Sequence, residues 1–222
     1  MLRQLMFIII GFVIGQGSMF AVQTYLVVGG EIELVATIGI SLGLMSLMQW
    51  ATDGGGVFVL NKLADEQGFD VALPNYFVSR LVFAFLFYII FSYLLKYAQL
   101  DPIINNVISF FPAVILIWSF NLTGLADKFK KNKLVGPVSG LSWFFSAVVV
   151  VFYSDSDFLG VYVGFSFCLG LFITVIIQHI IMNSFLEYKF EFSIIRVKNH
   201  FFEIAKFNLA YLSSQSYARF IP

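Results

Sequence analysis

The sequence has little charge for its length. Charged residues make up 12% of its 222 residues and hydrophobic residues 59%, whereas about a quarter of a soluble domain is charged. A soluble domain of this size has too small an interior to remove so much apolar surface from water. We therefore expect the chain to lie in a lipid bilayer. Its formal net charge of zero gives no indication of nucleic-acid binding.

Residues that serve catalysis and metal binding are also scarce. The single cysteine, Cys168, excludes an intramolecular disulfide and a cysteine-rich metal site. The two histidines, His179 and His200, lack neighbouring carboxylates at ligand spacing, and the chain has neither a phosphate-binding loop nor a nucleophile elbow. The sequence therefore predicts no enzyme, no metal site and no cofactor.

Long apolar runs are the main feature that is present. A hydrocarbon core about 30 Å thick is crossed by a helix of about 20 mostly apolar residues. Such runs occur at Leu5–Val28, Leu34–Leu60, Phe77–Leu95, Ile103–Leu122, Leu134–Tyr153 and Phe158–Leu186. They predict an all-α, polytopic bundle of six complete spans, because buried strands are much shorter. The first run is too long for a signal peptide and is predicted to be an uncleaved span.

The connections between the runs alternate in charge. If every second connection is cytoplasmic, the cytoplasmic side carries eleven of the 13 Lys and Arg residues, and only Lys96 and Arg219 lie elsewhere. Basic connections are retained on the inner side of a membrane. The pattern therefore predicts a cytoplasmic N-terminus and a multi-pass protein of a bacterial inner membrane.

The sequence divides into three predicted parts. Residues 1–186 form the six-span bundle, residues 187–206 an amphipathic cytoplasmic segment, and residues 207–222 the start of a seventh span that is cut off at Pro222. In the middle part, apolar residues recur at helical spacing between charged ones, which is typical of a helix in the membrane interface. Its expected role is to link two helical bundles, and the alternative is the sensing of lipid headgroups.

Asp53 is the acidic residue of greatest interest, because it lies inside the second apolar run. A carboxylate at that depth is costly unless it is neutral, paired or in contact with water. The glycines that follow it, Gly54, Gly55 and Gly56, permit a bend in the helix. This pattern predicts a polar cavity at the bend. The alternative is that the helix has already reached the interface, where Asp53 is solvated.

Two arginines and two glutamines are further candidates for a substrate path. Arg80 begins the third run, where it either extends to the headgroups or pairs with a substrate phosphate. Arg219 lies about twelve residues into the seventh run and is expected near the middle of the membrane. Gln16 and Gln23 share one face of the first span and either line an aqueous path or support close helix packing.

Several segments resemble a known transporter family. They are the segment from Gln16 to the Gly29-Gly30 turn, the segment from Leu47 through Asp53 to Ala64, the segment from Pro112 to Gly124, and the long sixth run with the amphipathic segment after it. In order and spacing these segments resemble the polysaccharide biosynthesis proteins and O-antigen flippases of the multidrug/oligosaccharidyl-lipid/polysaccharide exporter superfamily. The resemblance covers nearly the whole chain.

The resemblance implies a function and a partner. Members of this family move an undecaprenyl-pyrophosphate-linked oligosaccharide across the membrane for lipopolysaccharide, capsule or exopolysaccharide assembly. They use a central cavity between two six-helix bundles, and a coupling ion is a further expected partner. By this resemblance Asp53 and Arg80 are cavity residues of the first bundle, and Arg219 is one of the second.

Other functions are compatible with the same sequence. One is a multidrug or cation antiporter of the same superfamily, and another is a membrane-embedded polysaccharide polymerase or acyltransferase. Because the chain stops inside the predicted seventh span, we also expect either a truncated product or an association with another copy that supplies the missing second bundle. A non-functional remnant is the remaining alternative.

Overall fold

The fold is seen in a computed structural model that describes residues 2–53, 56–97, 99–129, 131–183 and 193–220. Over these ranges the regular structure is helical, and no strand occurs. Six helical segments are long and apolar enough to cross a membrane: Ile9–Val28, Ile32–Asp53, Val71–Leu95, Pro102–Ala126, Lys133–Tyr153 and Leu159–Met182. The predicted all-α, multi-pass membrane bundle is therefore confirmed.

The helices are numbered in chain order. They are α1 (Leu2–Phe12), α2 (Ser18–Val28), α3 (Ile32–Asp53), α4 (Gly56–Gln67), α5 (Phe69–Leu95), α6 (Pro102–Ile108), α7 (Phe111–Trp118), α8 (Thr123–Lys128), α9 (Asn132–Val135), α10 (Leu141–Tyr153), α11 (Leu159–Met182) and α12 (Ile194–Phe220). A π-helical turn, Val13–Gly17, joins α1 to α2, and a 3₁₀ turn, Gly136–Gly140, joins α9 to α10.

Several predicted runs differ from the helices in the structure. Within the second run, Leu34–Leu60, the described helices are α3, to Asp53, and α4, from Gly56, and the two residues between them lie outside the described part. The third begins earlier than predicted, at Phe69, with Pro74 inside the helix. The fourth is interrupted twice, between α6 and α7 and again between α7 and α8. The first of these interruptions precedes Pro112, which lacks the N–H that would continue a helix.

The last helix, α12, packs beside α5 and runs in the same direction. The backbone N of Ser193 donates to Asn75 Oδ1 at 3.1 Å, and Ser79 Oγ donates to the backbone oxygen of Val197 at 3.0 Å. In both pairs the two residues are separated by 118 positions in the sequence. An equal separation at successive contacts is expected of two helices that run parallel. The predicted amphipathic segment and the predicted seventh span therefore join without a break at residue 206, in one helix that reaches Phe220.

Two apolar clusters form the interior. The larger one contains Met48 of α3 and Ile115 of α7, and the smaller one contains Leu60 of α4 and Leu122, which precedes α8. Between the two clusters, these stretches of chain carry the buried polar residues Thr52, Ser119 and Asn121 and the carboxylate of Asp53. A polar layer therefore separates the two halves of the interior.

Candidate functional site

The polar layer is organised around Arg80, whose side chain is fully buried. Its Nη2 donates to Asp53 Oδ1 at 2.9 Å, and the other carboxylate oxygen, Oδ2, accepts from Asn121 Nδ2 at 3.2 Å. The Tyr76 ring lies 5.1 Å from the guanidinium carbon. Arg80 is therefore paired with an opposite charge, stacked on an aromatic ring and enclosed by the protein.

Backbone oxygens occupy the remaining donors of Arg80. Nε donates to Thr52 O at 3.1 Å, Nη1 to Ser119 O and Asn121 O, and Nη2 also to Trp118 O. A guanidinium has five N–H donors, so all five are used. The accepting carbonyls lie at the ends of α3 and α7, where the last turn of a helix lacks internal donors and carries a partial negative charge. We call the following residues the Arg80 cluster: Thr52, Asp53, Tyr76, Arg80, Trp118, Ser119 and Asn121.

Helix α11 completes the same layer. Gln178 Oε1 accepts from the backbone N of Leu122 at 2.7 Å, and its Nε2 donates to Thr123 Oγ1 at 3.0 Å. His179 Nε2 lies 2.8 Å from Phe120 O. The interruption between α7 and α8 therefore has its polar groups satisfied from two sides. Sequence reasoning missed Gln178, although a glutamine inside an apolar run is costly unless it is hydrogen-bonded.

The Arg80 cluster lies at the end of the spans where α3 ends, which the predicted topology assigns to the cytoplasmic side. Helix α3 has 22 residues, and at about 1.5 Å per residue its last residue, Asp53, lies about 30 Å from its first, which is the thickness of the hydrocarbon core. The Asp53 side chain is 22% exposed and that of Arg80 is 0% exposed. The structure thus brings two predicted site residues together, and a phosphate would have to displace one of their present partners.

Two further predicted site residues, Gln16 and Gln23, line a cavity at a second place. A cavity of about 300 Å³ lies between the first, second and fifth spans. We call it the glutamine groove; it is lined by Gln16, Met19, Phe20, Gln23, Gly39, Gly43 and Trp143. No lining residue is charged. The groove therefore offers two carboxamides and an indole ring.

Close backbone contact builds the groove. A Cβ added at Gly15 would lie 2.6 Å from Gly140 O, and one at Gly11 would collide with Gly136 O. The first span therefore packs directly on the 3₁₀ turn before α10, the helix that carries Trp143. Gln16 belongs to the π-helical turn, and such turns frequently mark functional sites. The small residues near Gln16 thus support packing, while Gln16 itself faces the groove.

The remaining predicted residues are not assigned to either place. Gly54 and Gly55 lie outside the described residues, so the predicted bend stays a prediction; Gly56 begins α4. Arg219 lies in the last turn of α12, and its side chain is outside the described part of the structure. Its depth in the membrane stays a prediction.

Among the described residues, no group of three or more His, Cys, Asp or Glu side chains is placed to hold a metal ion. The sequence matches no protein-family model and no curated protein, and the structure matches no solved structure.

Proposed function

We propose that the protein is a transporter that moves a lipid-linked oligosaccharide across a bacterial inner membrane, for the assembly of O-antigen, capsule or exopolysaccharide. The observation that carries this proposal is the glutamine groove, an uncharged polar surface within the depth of the membrane. The sequence resemblance to the O-antigen flippases supports the same function.

The depth of the groove is the central argument. Counting about 1.5 Å per residue back from Val28, Gln23 lies about 8 Å and Gln16 about 18 Å below the outer end of the first span. An amide without a hydrogen-bond partner in a purely apolar medium costs roughly 4–8 kcal/mol. The bundle face that carries these two carboxamides is therefore suited to water or a polar cargo, and poorly suited to lipid tails.

The groove occupies one face of the bundle and so supplies one wall of a transport cavity. The proposal requires an opposite wall, which either a second helical bundle or another copy of the chain would provide. The lipid tail of the cargo stays in the bilayer, while its polar head follows the wall from the inner to the outer side. Neutral side chains suit this task, because they exchange hydrogen bonds without holding the cargo by charge.

The Arg80 cluster favours this function over a cation antiporter. An antiporter of drugs or cations needs a carboxylate that is open to its substrate. Asp53 already accepts from Arg80 and Asn121 through both of its oxygens, and it lies at the inner end of the spans. Its charge is therefore compensated within the protein, and a cation would gain little by approaching it.

Deletion of the gene tests the proposal, in a strain without a second copy of the function. We expect loss of the surface polysaccharide and accumulation of the lipid-linked precursor in the inner leaflet, measured by electrophoresis of surface polysaccharide and by analysis of extracted lipids. Complementation with the double variant Gln16→Ala, Gln23→Ala should fail. Gln99→Ala, a change in the exposed outer connection, is the matched control and should restore export. Normal surface polysaccharide in the deletion strain would contradict the proposal.

A further inference from the structure

We propose that the glutamine groove binds the neutral sugar rings of the cargo and not its phosphate groups. In this site a pyranose ring stacks on Trp143, and its hydroxyl groups bond to Gln16 and Gln23. This inference rests on the proposed function and adds the part of the substrate that the groove recognises.

The chemistry of the lining favours a sugar. A pyranose has an apolar C–H face and a rim of hydroxyl groups that both donate and accept. An indole ring offers a matching apolar face, and a carboxamide offers both a donor and an acceptor. Trp143, Gln16 and Gln23 supply this combination in one cavity.

A phosphate would find no suitable partner in the same cavity. Phosphate binding in proteins relies on charge-assisted hydrogen bonds from cationic side chains, and all seven lining residues are uncharged. The buried Arg80 has all of its N–H donors committed and lies in the polar layer at the inner end of the bundle. The groove therefore discriminates between the two parts of the cargo.

The size and rigidity of the groove also fit a sugar ring. Trp143 contacts the Phe167 ring edge-on at 6.1 Å, which restrains the indole. Gly39 and Gly43 form the floor: a Cβ at Gly39 would lie 3.7 Å from Gln23 Nε2, and a Cβ at Gly43 would meet nothing within 4 Å. A volume of about 300 Å³ is at the lower end of small-molecule pockets, about 300–1,000 Å³. It accommodates a short stretch of sugar, and larger floor residues would fill it.

Binding of two simple amphiphiles tests the inference. The full chain, with Trp50→Phe and Trp118→Phe, is placed in phosphatidylcholine nanodiscs. Trp143 is then the remaining tryptophan of the chain. Octyl glucoside and octyl phosphate, below their micelle concentrations, share a tail and differ in the head. We expect a saturable change of Trp143 emission with octyl glucoside and none with octyl phosphate.

Three substitutions in this background make the test specific. Gln16→Ala with Gln23→Ala should weaken octyl glucoside binding about tenfold, since two hydrogen bonds are lost. Gly43→Leu should abolish binding by filling the groove, while circular dichroism confirms that the bundle remains folded. Gly43→Ala adds only a methyl group and keeps the site measurable if the leucine variant fails to fold. Gln99→Ala should leave binding unchanged.

The outcomes separate this inference from the proposed function. An equal response to the two amphiphiles, or binding that persists unchanged in the glutamine double variant, would overturn the sugar site even if deletion of the gene abolishes export. Selective octyl glucoside binding that depends on the groove would support the site even if export were normal in the deletion strain. In that case the transport proposal fails and the site remains.

Discussion

The Arg80 cluster and the glutamine groove are two polar regions within one apolar bundle, and they use their polar groups in opposite ways. Arg80 is buried, and each of its five N–H groups has a protein acceptor. In the groove, Gln16 is exposed and Gln23 half-buried, and neither carboxamide has a hydrogen-bond partner within the described part of the chain. Satisfied polar groups hold helices together, whereas open ones are available to a ligand.

The largest expected effect comes from breaking the Arg80 cluster. Arg80→Met leaves Asp53 without its counter-ion and removes the side-chain donor of the Thr52, Ser119 and Asn121 carbonyls. Removal of one partner of a buried pair costs about 3–5 kcal/mol. We expect a strongly lowered midpoint of thermal unfolding in detergent. Lys96→Met, which removes an exposed cation of the outer connection, should change little. Equal midpoints for the two variants would show that the cluster is not a structural element.

A glutamine of each region gives a direct comparison. Gln178→Leu removes the partners of Leu122 N and Thr123 Oγ1 and should cost about 1–3 kcal/mol in stability. Gln23→Leu removes a carboxamide of the groove and should leave stability unchanged or slightly increased, while export is lost. Unfolding midpoints and surface polysaccharide are measured on both variants. A stability loss for Gln23→Leu that matches that of Gln178→Leu would remove the distinction between the two regions.

His200 of α12 is a buried side chain without a hydrogen-bond partner among the described residues. The side chain is 1% exposed, and neither ring nitrogen has a hydrogen-bond partner in the structure as described. Burial lowers the pKa of His200 from its ordinary value of about 6.5. The positive charge of Arg196 is the second cause of this lowered pKa. Below that pH, α12 therefore binds fewer protons when it is packed against α5 than when it is detached. The packing of α12 consequently weakens as the pH falls.

Hydrogen exchange of the α12 amides checks this pH dependence. The measured exchange rates are first corrected for the intrinsic pH dependence of amide exchange. Between about pH 6.5 and pH 5, we expect the corrected rates of the α12 amides to rise a few-fold. His200→Phe removes the titrating group and keeps an apolar ring of similar shape, so its α12 should lack the additional acceleration. The same acceleration in His200→Phe would assign it to another group.

The smallest effect is expected for an exposed ion pair between α4 and α12. Lys62 Nζ lies 3.6 Å from Glu203 Oε2, and the two side chains are 55% and 39% exposed. Exposed pairs contribute about 0–1 kcal/mol. Lys62→Ala should therefore leave the unfolding midpoint nearly unchanged, in contrast to Arg80→Met. A large loss in Lys62→Ala would show that α12 depends on this pair and not on its buried contacts.

Much of the architecture follows from local properties of the sequence. The length and apolarity of the runs predicted six spans, because lipid accepts only side chains and backbones of that kind. The seven-residue spacing of Gln16 and Gln23 placed both on one face of the first span, and both line the groove. The three consecutive glycines after Asp53 predict a bend, which stays a prediction because two of them lie outside the described residues. The role of these residues in a substrate path is still a prediction.

The partners of Arg80 were beyond sequence reasoning for a physical reason. Four of its five acceptors are backbone carbonyls, and every residue in the chain has such a group. A carbonyl becomes available only where a helix ends, and the ends of α3 and α7 meet at Arg80 only after the spans have packed. The contact between Gln178 and the interruption before Thr123 likewise joins residues more than 50 positions apart, which no local pattern predicts.

The sequence by itself determined that this protein is a multi-pass helical bundle, and its basic connections predict which side faces the cytoplasm. Both follow from the free energy of transferring side chains and charges into lipid, which is a property of each residue. Tertiary structure alone decided that Arg80 is enclosed, with all of its donors bonded and Asp53 as its counter-ion, while Gln16 and Gln23 stay open beside Trp143. That division depends on which helix ends and faces come together, since hydrogen bonds between distant segments require the folded packing.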